Sequence, residues 1–386
     1  MPRCRSRALA VLTALLLAGC TGDPQPGTAE ESVRVPAPQA TAPQTTAPQT
    51  TATALPPPDS FTLVATGDVL VHQGRALTGG ARQPDGSYDF AGVFAPVADL
   101  IGDADLAICH LETPVAPPGG PYRGYPSFSV QPEIVDALAG AGYDICSTAS
   151  NHSLDAGFDG LTRTLDALQR AGIAATGTYR TEAASAQPTI VDVGGVRVGH
   201  VAGTFSLNGV PLPAGREWSV DVADLPDVAG MLAGAARARA AGADVVVASL
   251  HCCQEYDNDP TETQVAAVRT LLASPDVDLV LGHHAHVVQP FERIGDEWAA
   301  YGLGNHLAEH ATRGYPTEDS VAARFTFTRG ADGRFTVTTA EAVPLRIQTG
   351  QGAVRIVPAD PESFTRIAGV LGRRGAVEAG LEVVPG

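Results

Sequence analysis

From Phe61 onward the chain alternates short apolar runs with longer stretches of helical spacing. Residues 61–66, 105–109 and 143–146 read as buried strands. Between the last two, residues 132–141 carry helical spacing. Residues 154–171 form an amphipathic pattern with Leu154, Phe158, Leu161, Leu165 and Leu168 on one stripe. Residues 173–176 and 189–193 follow as strands. Residues 196–202 pair back on 189–193 through Gly194-Gly195, the signature of a tight hairpin. Helix is expected over 224–241 and 261–273, and strand over 244–250 and 277–281. After that the pattern predicts strands only, over 286–294, 298–303, 320–328 and 335–343. Strand–helix alternation followed by a β-rich second half predicts an α/β domain with two packed mixed sheets.

The first sixty residues follow another pattern. Arg3, Arg5 and Arg7 precede an apolar run over 8–18, too short to span a bilayer but suited to a signal peptide. The run ends in Leu17-Ala18-Gly19-Cys20, which resembles a bacterial lipobox. Cys20 is therefore the expected lipidation site, and the protein is expected to be extracytoplasmic and lipid-anchored at the cell membrane. Residues 21–60 are rich in Pro, Thr and Ala and cannot bury enough apolar surface to offset their ordering entropy. The expected organisation is a signal peptide over 1–20, a spacer over 21–60, a domain over 61–345 and a C-terminal extension over 346–386 packed on it.

Charge narrows the function. The 386 residues carry 25 basic against 42 acidic side chains, a formal net charge of −17. That excludes nucleic-acid binding by phosphate neutralisation. Any anionic ligand must be held locally, for example by a metal. Four cysteines remain once Cys4 and Cys20 are set aside, and an exported protein is free to pair them. Cys109 and Cys146 end adjacent predicted strands and are the favoured pair. Cys252 and Cys253 are consecutive.

Metal-competent residues collect where the predicted strands end, the place where α/β sheets build sites. In order they are Asp68, then His110-Leu111-Glu112, then Ser150-Asn151-His152 with Asp155, then His251, then His283-His284-Ala285-His286. Any one would pass as a turn residue or a core histidine, but five after successive strands predict a metal centre. Carboxylate and imidazole together suit Mn, Fe or Zn. No Gly-x-Ser-x-Gly elbow is present, and Cys252 or Cys253 as a nucleophile beside His251 lacks an orienting third group.

These residues, with Gly67, Leu111, Gly157, Glu255-Tyr256, Gly282 and the run Tyr301-Gly-Leu-Gly-Asn305, resemble the poly-γ-glutamate capsule biosynthesis family of CapA type. That family is similar to the calcineurin-like metallophosphoesterases. The resemblance implies a four-layer sandwich of two mixed sheets flanked by helices, and two divalent metal ions. It implies Asp68 and His286 on the first metal, Glu112 as a bridge, and Asn151, His251 and His284 on the second. His152 would be the catalytic group. His283, Asp155, Glu255 and Asn305 would support ligands or substrate; apart from the resemblance, Arg123 in Tyr122-Arg-Gly-Tyr125 is a candidate anion contact or a plain surface arginine. Leu70 stands where the phosphoesterases carry a histidine, which thins the first-metal shell. Glu112 replaces an aspartate, and His110 occupies a place that is often Asn. The implied role is in building poly-γ-glutamate or a related envelope polymer, as a metal-dependent hydrolase of a phosphoester or γ-glutamyl amide. The alternative is a non-catalytic assembly or export factor. Expected partners are the anionic polymer or a phosphoester, the membrane, and membrane-bound polymer synthases.

Overall fold

The computed structural model describes residues 58–74, 76–310, 316–350 and 353–386. The signal peptide, Cys20 and all but the end of the spacer lie outside the described residues. The first part of the domain comprises β1 (Ser60–Val69), α1 (Ala76–Ala81), α2 (Ala91–Phe94), α3 (Ala98–Gly102), β2 (Leu106–Leu111), α4 (Glu133–Ala141), β3 (Ile145–Ser147), α5 (Gly157–Arg170) and β4 (Ala174–Thr176). The middle comprises α6 (Glu182–Ser185), β5 (Thr189–Val193), β6 (Val196–Thr204), α7 (Ala229–Ala240), β7 (Val245–His251), α8 (Glu262–Leu272), β8 (Leu279–His283), β9 (Phe291–Ile294) and β10 (Glu297–Ala300). The last part comprises β11 (Asn305–Leu307), β12 (Asp319–Arg329), β13 (Phe335–Gly350), β14 (Ala353–Pro358), α9 (Pro361–Leu371) and β15 (Leu381–Val383).

These strands form two mixed sheets. One has nine strands in the order β14-β13-β12-β1-β2-β3-β4, with β11 on β1 and β15 on β13; the other runs β5-β6-β7-β8-β10-β9. In the first, β1 to β4 are parallel and β12 returns antiparallel to β1. In the second, β6, β7, β8 and β10 are parallel.

Strand periodicity explains the layering. Successive side chains point to opposite faces of a sheet. Leu63, Ala65, Ile108 and Ile145 of the first sheet therefore meet Val198, Val247, Leu279 and Leu281 of the second in a shared core. Their neighbours Val64, Ala107 and Cys109 face outward onto Ile134, Leu138 and Leu168 of α4 and α5. Val246, Ala248 and Val280 face the other way onto α7 and α8 through Met231, Ala235, Ala267 and Leu271. The result is helix, sheet, sheet, helix, the expected four layers.

Several elements depart from the pattern. Only Phe291–Ile294 of the segment expected as strand over 286–294 forms one. His284 and His286 have φ of 85° and 56°, so the chain turns there instead of extending. The C-terminal part is not strands alone. Asp360 accepts from the backbone N–H groups of Glu362 and Ser363, Pro361 opens the first turn, and α9 follows. The short helices α1 to α3 were not expected; they are too brief to show periodicity. The expected limit at 345 falls inside β13, and the residues beyond it add β14 and β15 to the same sheet. Both cysteine pairs are bridged, Cys109 to Cys146 and Cys252 to Cys253. The second bridge leaves neither thiol free as a nucleophile. Among the described residues no helix is long and apolar enough to cross a membrane.

Candidate metal centre

Toward the C-terminal strand ends the layer between the sheets changes chemistry. Aliphatic side chains give way to His110 at the end of β2, Ser147 at the end of β3, His251 at the end of β7 and His283 at the end of β8. Register sets these side by side: Asp68 pairs with His110, His110 with Ser147, and His251 with His283. Two glycines permit the close approach of the backbones behind them. A Cβ on Gly67 would lie 1.9 Å from the Gly304 carbonyl oxygen, and one on Gly282 would lie 1.8 Å from that of Tyr301. The bare backbone at Gly67 lets residues 303–305 press on β1, which places Asn305 opposite Asp68.

Asp68 is fully buried and anchors one side. His283 Nδ1 donates to its Oδ1 at 3.0 Å, the His284 N–H donates to Oδ2 at 3.0 Å, and His286 Nδ1 lies 3.3 Å from Oδ2. Burial pushes the Asp68 carboxyl up, but the hydrogen bonds from His283 and His286 outweigh it and hold the group well below its usual range. His286 Nδ1 also lies 2.9 Å from Asn305 Oδ1. With Nδ1 committed, His286 turns Nε2 toward Glu112, as a ligand histidine must.

Glu112 is the centre of the site. It is 1% exposed, and neither carboxylate oxygen has a hydrogen-bond partner. Its Oε1 lies 3.9 Å from His286 Nε2 and 4.0 Å from both His251 Nε2 and His152 Nε2. Those separations are too long for hydrogen bonds, so the group forgoes hydration without direct compensation. Burial lifts its carboxyl to about 7. Burial likewise drives His110 and His251 well below the usual imidazole value and His284 to about 3. The neutral imidazoles of His110, His251 and His284 beside an unpartnered carboxylate are a donor set suited to a divalent cation. Asp68, His110, Glu112 and His251 offer ligand atoms within 4.8 Å of one another, and so do Glu112, His284 and His286. The residues present therefore fit metal binding.

His152 closes the group toward solvent. Its Nδ1 lies 2.6 Å from Asp155 Oδ2, which also accepts the Phe128 N–H at 2.7 Å. The Asp155 carboxylate thereby fixes the imidazole with Nε2 facing Glu112. Asn151 Oδ1 lies 3.0 Å from His251 Nε2. Glu255 is partly exposed, and its Oε1 lies 4.0 Å from Nε2 of both His284 and His286. A cleft of about 1010 Å³ opens above, with Asn151, His152 and His286 on its floor and Tyr125, Phe128 and Tyr256 on its walls.

All the expected ligands thus converge, together with His283, Asp155, Glu255 and Asn305. Arg123 instead donates from Nη2 to the Asp155 main-chain carbonyl at 3.2 Å. One imidazole at the centre stands outside the expected ligand set, His110. Its spacing to Glu112 already placed both on one face of a strand. Leu70 also borders the cleft, where a further imidazole would have thickened the shell around Asp68.

Residues 62–310 match the family described as bacterial capsule synthesis protein PGA_cap. Among curated relatives, the PGA biosynthesis protein CapA of Bacillus subtilis is 28% identical over 208 residues, 53% of each chain. The capsule biosynthesis protein CapA of Bacillus anthracis is 26% identical over 300 residues, 76% of this chain and 69% of its own. The chain thus spans about half the length of the first relative. The calcineurin-like phosphoesterase YfkN of B. subtilis aligns with a TM-score of 0.43 at 18% identity, over 74% of this chain and 90% of the other, a likeness too slight to carry an argument. The family match covers well over half of the sequence, and the chain belongs to the bacterial PGA_cap capsule synthesis family.

Proposed function

We propose that this protein is a metal-dependent hydrolase that works on poly-γ-glutamate or a related envelope polymer outside the cytoplasm, held at the membrane by a lipid on Cys20. The observation that carries the reading is Glu112, whose two oxygens are buried and unpartnered and whose Oε1 lies within 4.0 Å of three imidazole Nε2 atoms, two of them on His152 and His286, which line an open cleft. Two divalent ions, Mn, Fe or Zn, would be held by Asp68, Glu112, Asn151, His251, His284 and His286. When bound, such ions stabilise negative charge on attacking and leaving oxygens, which an acidic protein cannot otherwise do for an anion. The chain's own residues do the rest. Asp155 orients His152, and His152 Nε2 can hold a proton or pass it to a leaving group, a contribution of about 10²–10⁴ in rate. Bonds of the phosphoester and γ-glutamyl amide classes both suit such a site.

The experiment is metal analysis of the purified protein, with hydrolysis assays on phosphoesters and on poly-γ-glutamate for wild type and His152→Ala. Bound transition metal, and turnover lost in the variant with metal retained, are expected. Metal-free wild type, or full activity in the variant, would overturn the reading. A second reading, a non-catalytic factor for polymer assembly with membrane-bound synthases, is favoured by Leu70 beside Asp68. It predicts metal uptake without turnover and loss of surface polymer in a deletion strain. Retention at the membrane should be lost in Cys20→Ser.

A further inference from the structure

Beneath the ligands runs an unbroken line of short hydrogen bonds. Ser147 Oγ lies 2.7 Å from His110 Nδ1, His110 Nε2 lies 2.9 Å from His251 Nδ1, and His251 Nε2 lies 3.0 Å from Asn151 Oδ1. Every ring in it is at most 1% exposed, so water does not interrupt it. The His110 ring is also stacked on that of His283, the centroids 4.1 Å apart.

We propose that His110 is a positioning residue that selects which nitrogen of His251 is offered to the metal. The inference rests on the metal-centre reading above. Each neutral imidazole holds one hydrogen, on one nitrogen or the other. Asn151 Oδ1 only accepts. Without a cation, His251 therefore carries its hydrogen on Nε2, its Nδ1 accepts from His110 Nε2, and His110 Nδ1 accepts from the Ser147 hydroxyl. A cation on His251 Nε2 requires the lone pair there. The hydrogen of His251 must then sit on Nδ1 and point at His110 Nε2, and that of His110 must sit on Nδ1 and point at Ser147. Both arrangements hold the same number of hydrogens and satisfy every nitrogen in the line. Ser147 makes both available because a hydroxyl donates or accepts with equal ease. An apolar group in place of His110 would leave His251 Nδ1–H unpaired in a dry interior once metal is bound, so loading would be penalised. His110 thus acts through His251 by an outer hydrogen bond of the kind that orients metal-bound histidines.

The test is zinc titration of the full chain, with ion counting at saturation and ¹⁵N spectra of the imidazoles, for wild type, His110→Gln and His110→Leu. The two substitutes are close in size, but only Gln offers an acceptor to His251. His110→Gln should keep zinc affinity within about threefold, whereas His110→Leu should lose about 10–100-fold while binding the same number of ions. In wild type the hydrogen of His110 should move from Nε2 to Nδ1 on zinc loading. Unchanged affinity in His110→Leu, an ion missing at saturation in both variants, or a His110 tautomer that ignores zinc would each overturn the proposal. If His110→Leu fails to fold, His110→Gln and the wild-type spectra decide it. Wild type that takes up no zinc overturns the metal reading itself.

Discussion

Ten histidines stand in this chain, and burial treats them very differently according to what faces them. Burial pulls His286 down, yet the charge of Glu112 and the hydrogen bond to Asp68 together lift it to about 9. His306 has no such carboxylate. It is fully buried beside the rings of Phe94 and Tyr143, neither nitrogen has a hydrogen-bond partner, and burial drives it down to about 3. The sign of its effect on stability follows. The unfolded chain takes up a proton near pH 6.5 and the folded protein does not, so stability is full above that value and falls as pH drops toward 3. At pH 5 the loss is about 2 kcal/mol. His306→Leu keeps the volume and removes the proton. Urea unfolding at pH 7.5 and pH 5 should therefore show the variant gaining about 2 kcal/mol on wild type between the two pH values. An equal pH response in both proteins would contradict this account.

At the scale of elements, the site depends on strands whose ends are pressed together without side chains between them. Gly282 in β8 backs directly on the Tyr301 carbonyl, and the contact is backbone rather than a side chain that could swing away. Gly282→Ala should therefore cost about 3 kcal/mol or more, at the upper end for overpacking. Because His283 follows immediately and His284 and His286 lie in the adjoining turn, zinc affinity should fall with stability. Thermal unfolding and zinc titration of the same sample measure both. The strands themselves were largely legible from periodicity, and β2, β6, β7, β8, β12 and the hairpin of β5 with β6 lie close to where the pattern places them. The stretch 286–290 was not, because the apolar pair Val287-Val288 suits the strand expected over 286–294. Positive φ at His284 and His286 belongs to the tertiary site, not to the local sequence. α9 is the opposite case: its Asp360-Pro361 start is readable in the sequence, but its apolar stripe is too short to announce a helix.

At the scale of the whole molecule, two linkages bear on the stability of the strands that carry the centre. The Cys109–Cys146 bridge joins β2 to β3 across 37 residues directly below His110 and Ser147. Removing it as Cys109→Ser with Cys146→Ser should cost about 3–4 kcal/mol, the loop-closure entropy for that span, read by denaturant unfolding. A metal at the proposed site would be the second linkage. Glu112 without a cation is a buried, unpartnered carboxylate, so chelation should lower Tm and zinc should restore it, by about 4 kcal/mol when zinc stands 1,000-fold above its Kd. Glu112→Gln should abolish the response to zinc.

The sequence by itself determined the strand–helix order, the acidic charge, the strand ends where carboxylates and imidazoles collect, and the family. These are local properties: period, composition and short motifs. It could not place His110, because the bond from His110 to His251 joins residues 141 apart, and that from His283 to Asp68 joins residues 215 apart. Nor could it show that residues 346–386 complete the first sheet, since β14 has no hydrogen-bonding partner until β13 runs past 345 to meet it, and β15 returns from far along the chain to pair with residues 340–342. Periodicity tells a side chain which face it occupies. Only packing of the two sheets against each other decides which residues share that face, and so which imidazole nitrogen meets Glu112.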